Sequence, residues 1–122
     1  MKDTVKAFKV LSDETKLRVL NLLLERECCV CEVMQALEIS QSRASRSLIA
    51  LYDAGFVKQR KEGLWSVYSI DEQGTSGFRS QLIASVRTAL KNSPIISKDK
   101  KRLLKARRVG TGCAGKIVEK EK

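Results

Sequence analysis

The chain has 122 residues, a formal net charge of +10 and four cysteines, and it contains no histidine. The length fits one domain and the charge favours an anionic partner such as nucleic acid, whereas the lack of histidine excludes the usual general base and any histidine-containing metal site. No stretch reaches the roughly 18 to 20 apolar residues of a membrane span, and the amphipathic N-terminal segment is unlike a secretion signal. We therefore expect a cytoplasmic protein without a membrane partner. In the cytoplasm the cysteines are expected to be reduced.

Two helices are predicted before the cysteines. Val5, Phe8 and Leu11 form a short apolar stripe, which predicts the first helix. Ser12 is the expected N-cap of the second helix, in which leucines recur at helical spacing up to Leu24. This second helix is expected to be buried.

A third helix is predicted to begin among the cysteines at positions 28, 29 and 31, and a tight turn at residues 38–40 leads to a fourth. Ser40 is a suitable N-cap for this fourth helix, and Gly55 lies where it should stop. Its first two turns carry hydrogen-bonding side chains and no carboxylate, which favours contact with nucleic acid. We therefore expect a helix-turn-helix whose second helix reads DNA through these residues: Gln41, Ser42, Arg43, Ser45, Arg46 and Ser47.

After Gly55 the sequence changes to β-branched and aromatic residues. Residues 56–60 and 64–70 predict two strands, and residues 61–63 predict the turn between them. Arg60 and Lys61 lie near the tip of this hairpin, where they would contact phosphate. A hairpin directly after a helix-turn-helix predicts a winged helix.

The C-terminal third contains one more predicted helix and a basic tail. Phe78, Leu82, Val86 and Leu90 form an apolar stripe, which we expect to pair with its copy in a homodimer. Pro94 is expected to end that helix. Residues 98–122 hold 10 Lys or Arg against 3 Asp or Glu, so we predict a DNA-binding and dimerisation domain at 1–95 and a flexible basic tail at 96–122.

An ordered set of motifs over about residues 4 to 92 resembles the ArsR family of bacterial metal-responsive repressors. The resemblance implies a mainly α, dimeric winged helix-turn-helix protein with a small β-hairpin, which binds double-stranded operator DNA and is released by trivalent arsenic or antimony, with arsenite or antimonite as the inducer. The motifs are Leu11-Ser12-Asp13-Glu14-Thr15, Glu27-Cys28-Cys29-Val30-Cys31-Glu32-Val33, Ser40-Gln41-Ser42-Arg43-Ala44-Ser45-Arg46-Ser47-Leu48 and Arg60-Lys61-Glu62-Gly63-Leu64-Trp65-Ser66-Val67-Tyr68.

In the arsenic-responsive branch the metalloid ligands come from a box that here includes Cys29 and Cys31. The third cysteine of the branch is replaced by Met34, so a third thiolate would come from Cys28, which we rank first, or from Cys113 in the tail. The residues themselves favour a thiophilic ion, because thiolates are soft ligands, and a helix N-terminus is expected to lower the thiol pKa. Positions i and i+2 of a helix face different ways, so metalloid binding is expected to unwind the first turn and misplace the recognition helix.

Three other functions stay open from the sequence. The same fold could respond to thiol oxidation, or to cadmium or lead. A third alternative is a winged-helix module that binds nucleic acid or protein without sensing a metal. An enzyme is not expected, because the sequence has no phosphate loop and no convincing catalytic constellation.

Overall fold

The computed structural model describes residues 1–109. This part of the chain forms six helices and three short strands, and none of the helices is long and apolar enough to cross a bilayer. The elements in chain order are α1 (Lys2–Leu11), α2 (Glu14–Glu25), β1 (Cys28–Cys29), α3 (Val30–Leu37), α4 (Gln41–Asp53), β2 (Val57–Glu62), β3 (Trp65–Ile70), α5 (Phe78–Leu90) and α6 (Pro94–Lys105).

Helices α2, α3 and α4 enclose the main core. Leu20, Leu22 and Leu23 of α2 share one core cluster with Leu48 and Leu51 of α4, and these five side chains are almost fully buried. Between α3 and α4 the backbone turns sharply, because Glu38 adopts a left-handed conformation with φ of 57°. Helix, tight turn and helix thus occur where the sequence predicts them.

The caps of α2 differ from the prediction. Ser12 ends α1, where its hydroxyl donates to the Lys9 carbonyl oxygen, and Asp13 is the N-cap of α2. The Asp13 carboxylate accepts the backbone N–H of Lys16 at 3.0 Å. A carboxylate at this place also meets the positive end of the helix dipole, which favours it over a hydroxyl.

The three strands form one antiparallel sheet in the order β1-β3-β2. Strands β2 and β3 are the predicted wing, but Glu62 pairs with Trp65, so the turn falls on Gly63 and Leu64 and not on residues 61–63. Gly63 has φ of +63°, a conformation that favours glycine. Strand β1 was not predicted, and it places the first two adjacent cysteines in the sheet.

Helix α6 is the largest departure from the sequence prediction. The expectation of a loose arm is wrong for residues 96–105, which are helical and pack against α2 and α3, and Pro94 begins this helix instead of only ending α5. Proline at the first helical position needs no N–H partner. Asp99 and Leu103 are nearly fully buried in this packing.

The apolar stripe of α1 faces outward. Ala7 and Val10 are buried, whereas Val5 is 46% exposed and Phe8 is 55% exposed. Alanine is small enough for α1 to lie close against α2. The larger side chains therefore remain available on the surface of the single chain.

Candidate nucleic-acid interface and thiol site

Helix α4 begins as predicted at Ser40, whose hydroxyl accepts the backbone N–H of Arg43 at 3.1 Å. The helix ends at Asp53 with Ala54 as its C-cap, and Gly55 follows with φ of +88°. A Cβ added at Gly55 would lie 2.9 Å from Nε of Arg79. Arg79 also donates to the Ala54 carbonyl oxygen at 2.8 Å. Both ends of the predicted recognition helix are therefore fixed by side-chain contacts.

Five of the six predicted DNA-reading side chains of α4 are accessible. Ser42, Arg43 and Arg46 are exposed, and Gln41 and Ser45 are partly exposed. The sixth prediction, Ser47, is wrong as a surface contact because this side chain is only 4% exposed. It lies next to Leu48 on the side of the helix that packs on the core, and its small hydroxyl is tolerated there.

The accessible polar groups of α4 are held by hydrogen bonds within the protein. Gln41 donates to the Ser45 hydroxyl at 3.1 Å, and Arg46 donates to the Ser42 hydroxyl. Arg43 donates to the Thr15 hydroxyl of α2 at 2.6 Å. Because a guanidinium has five N–H donors, one such bond orients the arginine and leaves other donors for a ligand.

Arg60 and Lys61 lie on the wing, and both are exposed. Arg60 is held by both oxygens of Glu27 at 2.7 and 2.9 Å and by Glu62 at 3.3 Å. These two carboxylates raise the pKa of Arg60, so it is fully charged. Phosphate would have to compete with the two acids for Arg60, whereas Lys61 contacts only the Ser66 hydroxyl at 3.3 Å among the described residues.

Cys28, the candidate third ligand, lies on the other side of the sheet from the two cysteines of the box. Cys28 pairs with Tyr68 and Cys29 with Val67, and successive strand residues point to opposite faces. Cys28 therefore lies in the main core, whereas Cys29 and Cys31 lie in a second apolar cluster. The structure does not bring Cys28 to the other two thiols, and Cys113 lies outside the described residues.

Cys29 and Cys31 form a close pair. Cys29 is the N-cap of α3 with extended backbone angles of −91° and 172°, and its N–H donates to the Glu32 carboxylate at 2.9 Å. Its Sγ lies 2.9 Å from the Sγ of Cys31. The prediction that the two sulfurs diverge is thus wrong, because Cys29 precedes the helix and is not part of its first turn.

The environment of the thiols opposes ionisation. Burial raises the pKa of Cys28 to about 12 and that of Cys29 to about 11. Desolvation disfavours the charged thiolate. Here it outweighs the nearby charge of Arg26 at Cys28 and the backbone hydrogen bonds of Glu32 and Cys31 at Cys29, which favour the thiolate. The expected lowering of the thiol pKa is therefore not found at these two cysteines.

A segment that sequence reasoning missed covers the pair. We call residues 106–109, which follow α6, the cover segment. The amide of Gln35 holds it, because Nε2 donates to the Arg107 carbonyl oxygen at 2.5 Å and Oε1 accepts the Arg107 N–H at 3.0 Å. Cys31 Sγ lies 3.8 Å from the same carbonyl oxygen, and Val109 packs against Cys29 and Cys31.

No sequence pattern predicts the position of the cover segment. Its position follows from the packing of α6, which directly precedes it in the chain. Together with Val30 and Trp65, Val109 makes the surroundings of the two thiols apolar. Among residues 1–109, no three histidine, cysteine or acidic side chains are placed to hold a metal ion. Among the described residues, the sulfur atoms of Cys29 and Cys31 thus lie close together in apolar surroundings.

The predicted dimer stripe on α5 is partly used within the chain. Phe78 and Leu82 are half-buried and pack against the main core, and Ile83 is the buried residue of this helix. Val86 and Leu90 are half-buried. Pairing of this stripe with a second copy stays a prediction.

Comparison with known proteins gives the same assignment as the fold. Residues 13–59 match the model described as "Bacterial regulatory protein, arsR family". The chain is similar to the arsenical resistance operon repressor of Bacillus subtilis, with 30% identity over 65% of this chain and 76% of that protein. It is also similar to a homologue of the cadmium resistance transcriptional regulatory protein CadC from Staphylococcus aureus, with 43% identity over 58% of this chain and 60% of that protein.

Solved structures extend the likeness beyond the matched segment. A homodimeric winged helix-turn-helix DNA-binding domain from Mycobacterium bovis superposes with a TM-score of 0.63 at 26% identity, over 76% of this chain and 82% of that one. The prediction that the chain is not an enzyme is confirmed by these relatives, which are transcription regulators. The chain spans 50 to 60% of the length of several curated relatives, including the cadmium-resistance protein.

The helix-turn-helix lies within the segment that the family model matches, and the chain covers 76% of the Bacillus subtilis repressor at 30% identity. The chain belongs to the ArsR family of bacterial regulatory proteins.

Proposed function

We propose that this protein is a homodimeric repressor that binds double-stranded operator DNA and leaves it when arsenite or antimonite binds Cys29 and Cys31. The observation that carries the proposal is the 2.9 Å separation of the two sulfurs at the start of α3. This helix leads through one tight turn to α4, whose accessible arginines are the proposed DNA contacts.

The sulfur pair suits a small thiophilic centre. Two sulfurs each bonded at about 2.3 Å to one central atom lie roughly 3.3 to 3.8 Å apart, so the pair needs to open by less than about 1 Å. Soft thiolate donors favour such ions over magnesium, calcium or manganese. Binding therefore requires a small opening of the site and no unwinding of α3.

Arsenous acid also matches the protonation of Cys29, because burial raises the pKa of this thiol to about 11. Each As–S bond replaces an As–O bond, and the thiol proton leaves with the hydroxide as water. No net proton is released, so buried neutral thiols can react without first becoming free thiolates. Cadmium would instead have to displace one proton to solvent for each thiol that it binds.

Dimerisation is proposed from the outward apolar surfaces and from the family. Val5 and Phe8 of α1 are exposed, and Val86 and Leu90 continue the stripe of α5. Two copies related by a two-fold axis would present two recognition helices to two half-sites. The Mycobacterium bovis domain is a homodimer of the same architecture.

Three single substitutions test the proposed thiols. Cys29→Ser and Cys31→Ser should bind operator DNA like the parent and fail to leave it on addition of arsenite. Cys28→Ala is the matched control, because Cys28 lies on the other face of β1, and it should still be released. Gel-shift titrations under full reduction measure both properties, and normal release of Cys31→Ser would contradict the proposal.

The same short distance supports one alternative, a repressor that responds to oxidation of the two thiols. Titration with arsenite in excess reductant separates the two functions. Under these conditions an oxidation sensor stays on its operator, whereas an arsenite sensor is released.

A further inference from the structure

Arg43 of α4 is held at both its backbone and its side chain by hydroxyl groups. Its backbone N–H donates to the Ser40 hydroxyl at 3.1 Å, and its guanidinium donates to the Thr15 hydroxyl at 2.6 Å. Thr15 is 9% exposed and lies in the first turn of α2, whose N-cap is Asp13. A buried hydroxyl on a neighbouring helix thus fixes the direction of this arginine.

Arg46, another exposed arginine of α4, is held differently. Its guanidinium donates to the hydroxyl of Ser42, which lies one turn earlier on the same helix and is itself exposed. This contact joins two surface side chains, whereas the contact of Arg43 with Thr15 joins two packed helices. Arg43 is therefore the more firmly placed of the two before DNA binds.

The two arginines also lie at different places around α4. The buried residues of this helix are Ala44, Ser47, Leu48 and Leu51. At about 100° per residue, Arg46 lies about 150° from the centre of this buried side, and Arg43 lies about 90° from it. Arg46 thus lies on the face turned away from the protein, whereas Arg43 lies on the flank next to α2.

We infer that Arg43 contacts a backbone phosphate at the edge of the major groove, that Thr15 positions it there, and that Arg46 reads a base. The inference rests on the DNA-binding part of the proposed function and assigns the two arginines different contacts within it. Thr15 is a positioning residue, because its buried hydroxyl acts through Arg43 and does not touch DNA.

The geometry of a recognition helix supports this division. When such a helix lies in the major groove, its outward face meets the base edges, and its flanks face the phosphates that border the groove. A guanidinium has five N–H donors, so Arg43 can bind Thr15 and a phosphate together. Among the described residues Arg43 has no ion-pair partner, whereas Arg60 of the wing is held by two acids. The charge of Arg43 is therefore available to phosphate.

The Thr15 hydroxyl raises the affinity for DNA by ordering Arg43 in advance. A free arginine side chain has many rotamers, and the loss of this freedom opposes association. Thr15→Val removes the hydroxyl and nearly keeps the shape of the side chain. Arg43 can then still reach phosphate, but it does so from a larger set of conformations, and binding to any duplex becomes weaker.

The first test compares Thr15→Val and Thr15→Ser with the parent protein. Fluorescence anisotropy measures the affinity for a labelled duplex from the promoter of this gene and for a scrambled duplex of the same length. Thr15→Val should weaken binding to both duplexes about three- to tenfold, since part of the ordering cost of the arginine returns. Thr15→Ser keeps the hydroxyl and should bind like the parent.

Thr75→Val is the matched control for the loss of a buried threonine hydroxyl. Thr75 is 8% exposed, and its hydroxyl donates to the carbonyl oxygen of Asp71 in a loop and not to an arginine. This variant should bind both duplexes like the parent. Parent-like binding by Thr15→Val, or an equal loss in Thr75→Val, would overturn the inference.

A double-mutant cycle shows whether Thr15 acts through Arg43. Arg43→Gln should weaken binding to both duplexes and reduce the slope of log affinity against log salt by about 1, as expected for one lost phosphate contact. Adding Thr15→Val to Arg43→Gln should cause no further loss. Additive losses would show that Thr15 supports DNA binding by another route, and they would refute the positioning role.

The preference for the promoter duplex over the scrambled duplex distinguishes the two arginines. Arg46→Gln should reduce this preference about tenfold, as expected for a lost base contact, whereas Arg43→Gln should leave it unchanged. A reduced preference in Arg43→Gln would show that Arg43 reads a base and would overturn the assignment. Absence of any preference in the parent would instead refute the proposed function.

Discussion

Asp99→Asn should destabilise the protein more than any other single charge removal between α2 and α6. The Asp99 carboxylate is 1% exposed and accepts two hydrogen bonds from Arg18 of α2, at 2.8 and 2.9 Å. Arg102 donates to the same carboxylate at 2.9 Å and to the Ala36 carbonyl oxygen at 2.6 Å. The substitution keeps the shape of the side chain, removes its charge and leaves two guanidinium groups without an anion.

The magnitude follows from the burial of the partners. Removing one member of a fully buried ion pair costs about 3 to 5 kcal/mol. The arginine side chains here are 14% and 30% exposed, so solvent offsets part of this cost. We expect a loss of about 2 to 4 kcal/mol in the free energy of unfolding, or a fall of roughly 1 to 2 M in the urea midpoint.

The assay is urea unfolding followed by circular dichroism at one fixed protein concentration, because dimerisation adds to the apparent stability. Glu25→Gln is the control, since Glu25 also joins α2 to α6, through Lys100 at 3.0 Å, but both side chains are more than 40% exposed. An exposed pair contributes about 0 to 1 kcal/mol. Equal stability of the two variants would show that α6 is not held by Asp99.

Three further predictions concern DNA, the dimer and pH. Arg46→Ala should weaken operator binding by about 1 to 3 kcal/mol if the Arg46 side chain contacts a base. Ser47→Ala should leave the affinity for DNA unchanged, because Ser47 is buried. Fluorescence anisotropy at fixed salt measures both affinities. Val86→Asp should give monomers in sedimentation and lose operator binding, while Ser85→Asp on the exposed side of the same helix should remain dimeric. Because burial raises the pKa of Cys28 from 9.0 to about 12, the unfolded chain loses this proton first, and stability should fall as pH rises from 9 to 12. Cys28→Ala should reduce that fall by up to about 1.4 kcal/mol per pH unit in urea unfolding, and an identical pH profile would contradict the assignment.

Local signals in the sequence predict several elements correctly. Apolar residues at helical spacing, the hydroxyl of Ser40 and the glycine at position 55 are enough to place the recognition helix, because caps and periodicity act within a few residues. The β-branched and aromatic residues after Gly55 are enough to place the wing. The order of these motifs also predicts the family.

Which side of each element is buried depends on packing between elements that are distant in the sequence. Ser47 is polar and near the start of α4, but it faces the core, and the two adjacent cysteines are separated because a two-residue strand pairs with β3. No local pattern encodes that pairing, since its partner residues lie about forty positions away in the chain.

The docking of α6 has the same cause. Its buried side consists of Ile96, Asp99 and Leu103. With a carboxylate among them, these residues do not form the sustained apolar periodicity that predicts a packed helix. Asp99 becomes a core residue only because Arg18, 81 positions earlier, neutralises it. That long-range ion pair holds α6 on α2, and Arg102 of α6 donates to the Ala36 carbonyl oxygen of α3. The docked helix brings the cover segment over Cys29 and Cys31, a position that no spacing in the sequence could predict.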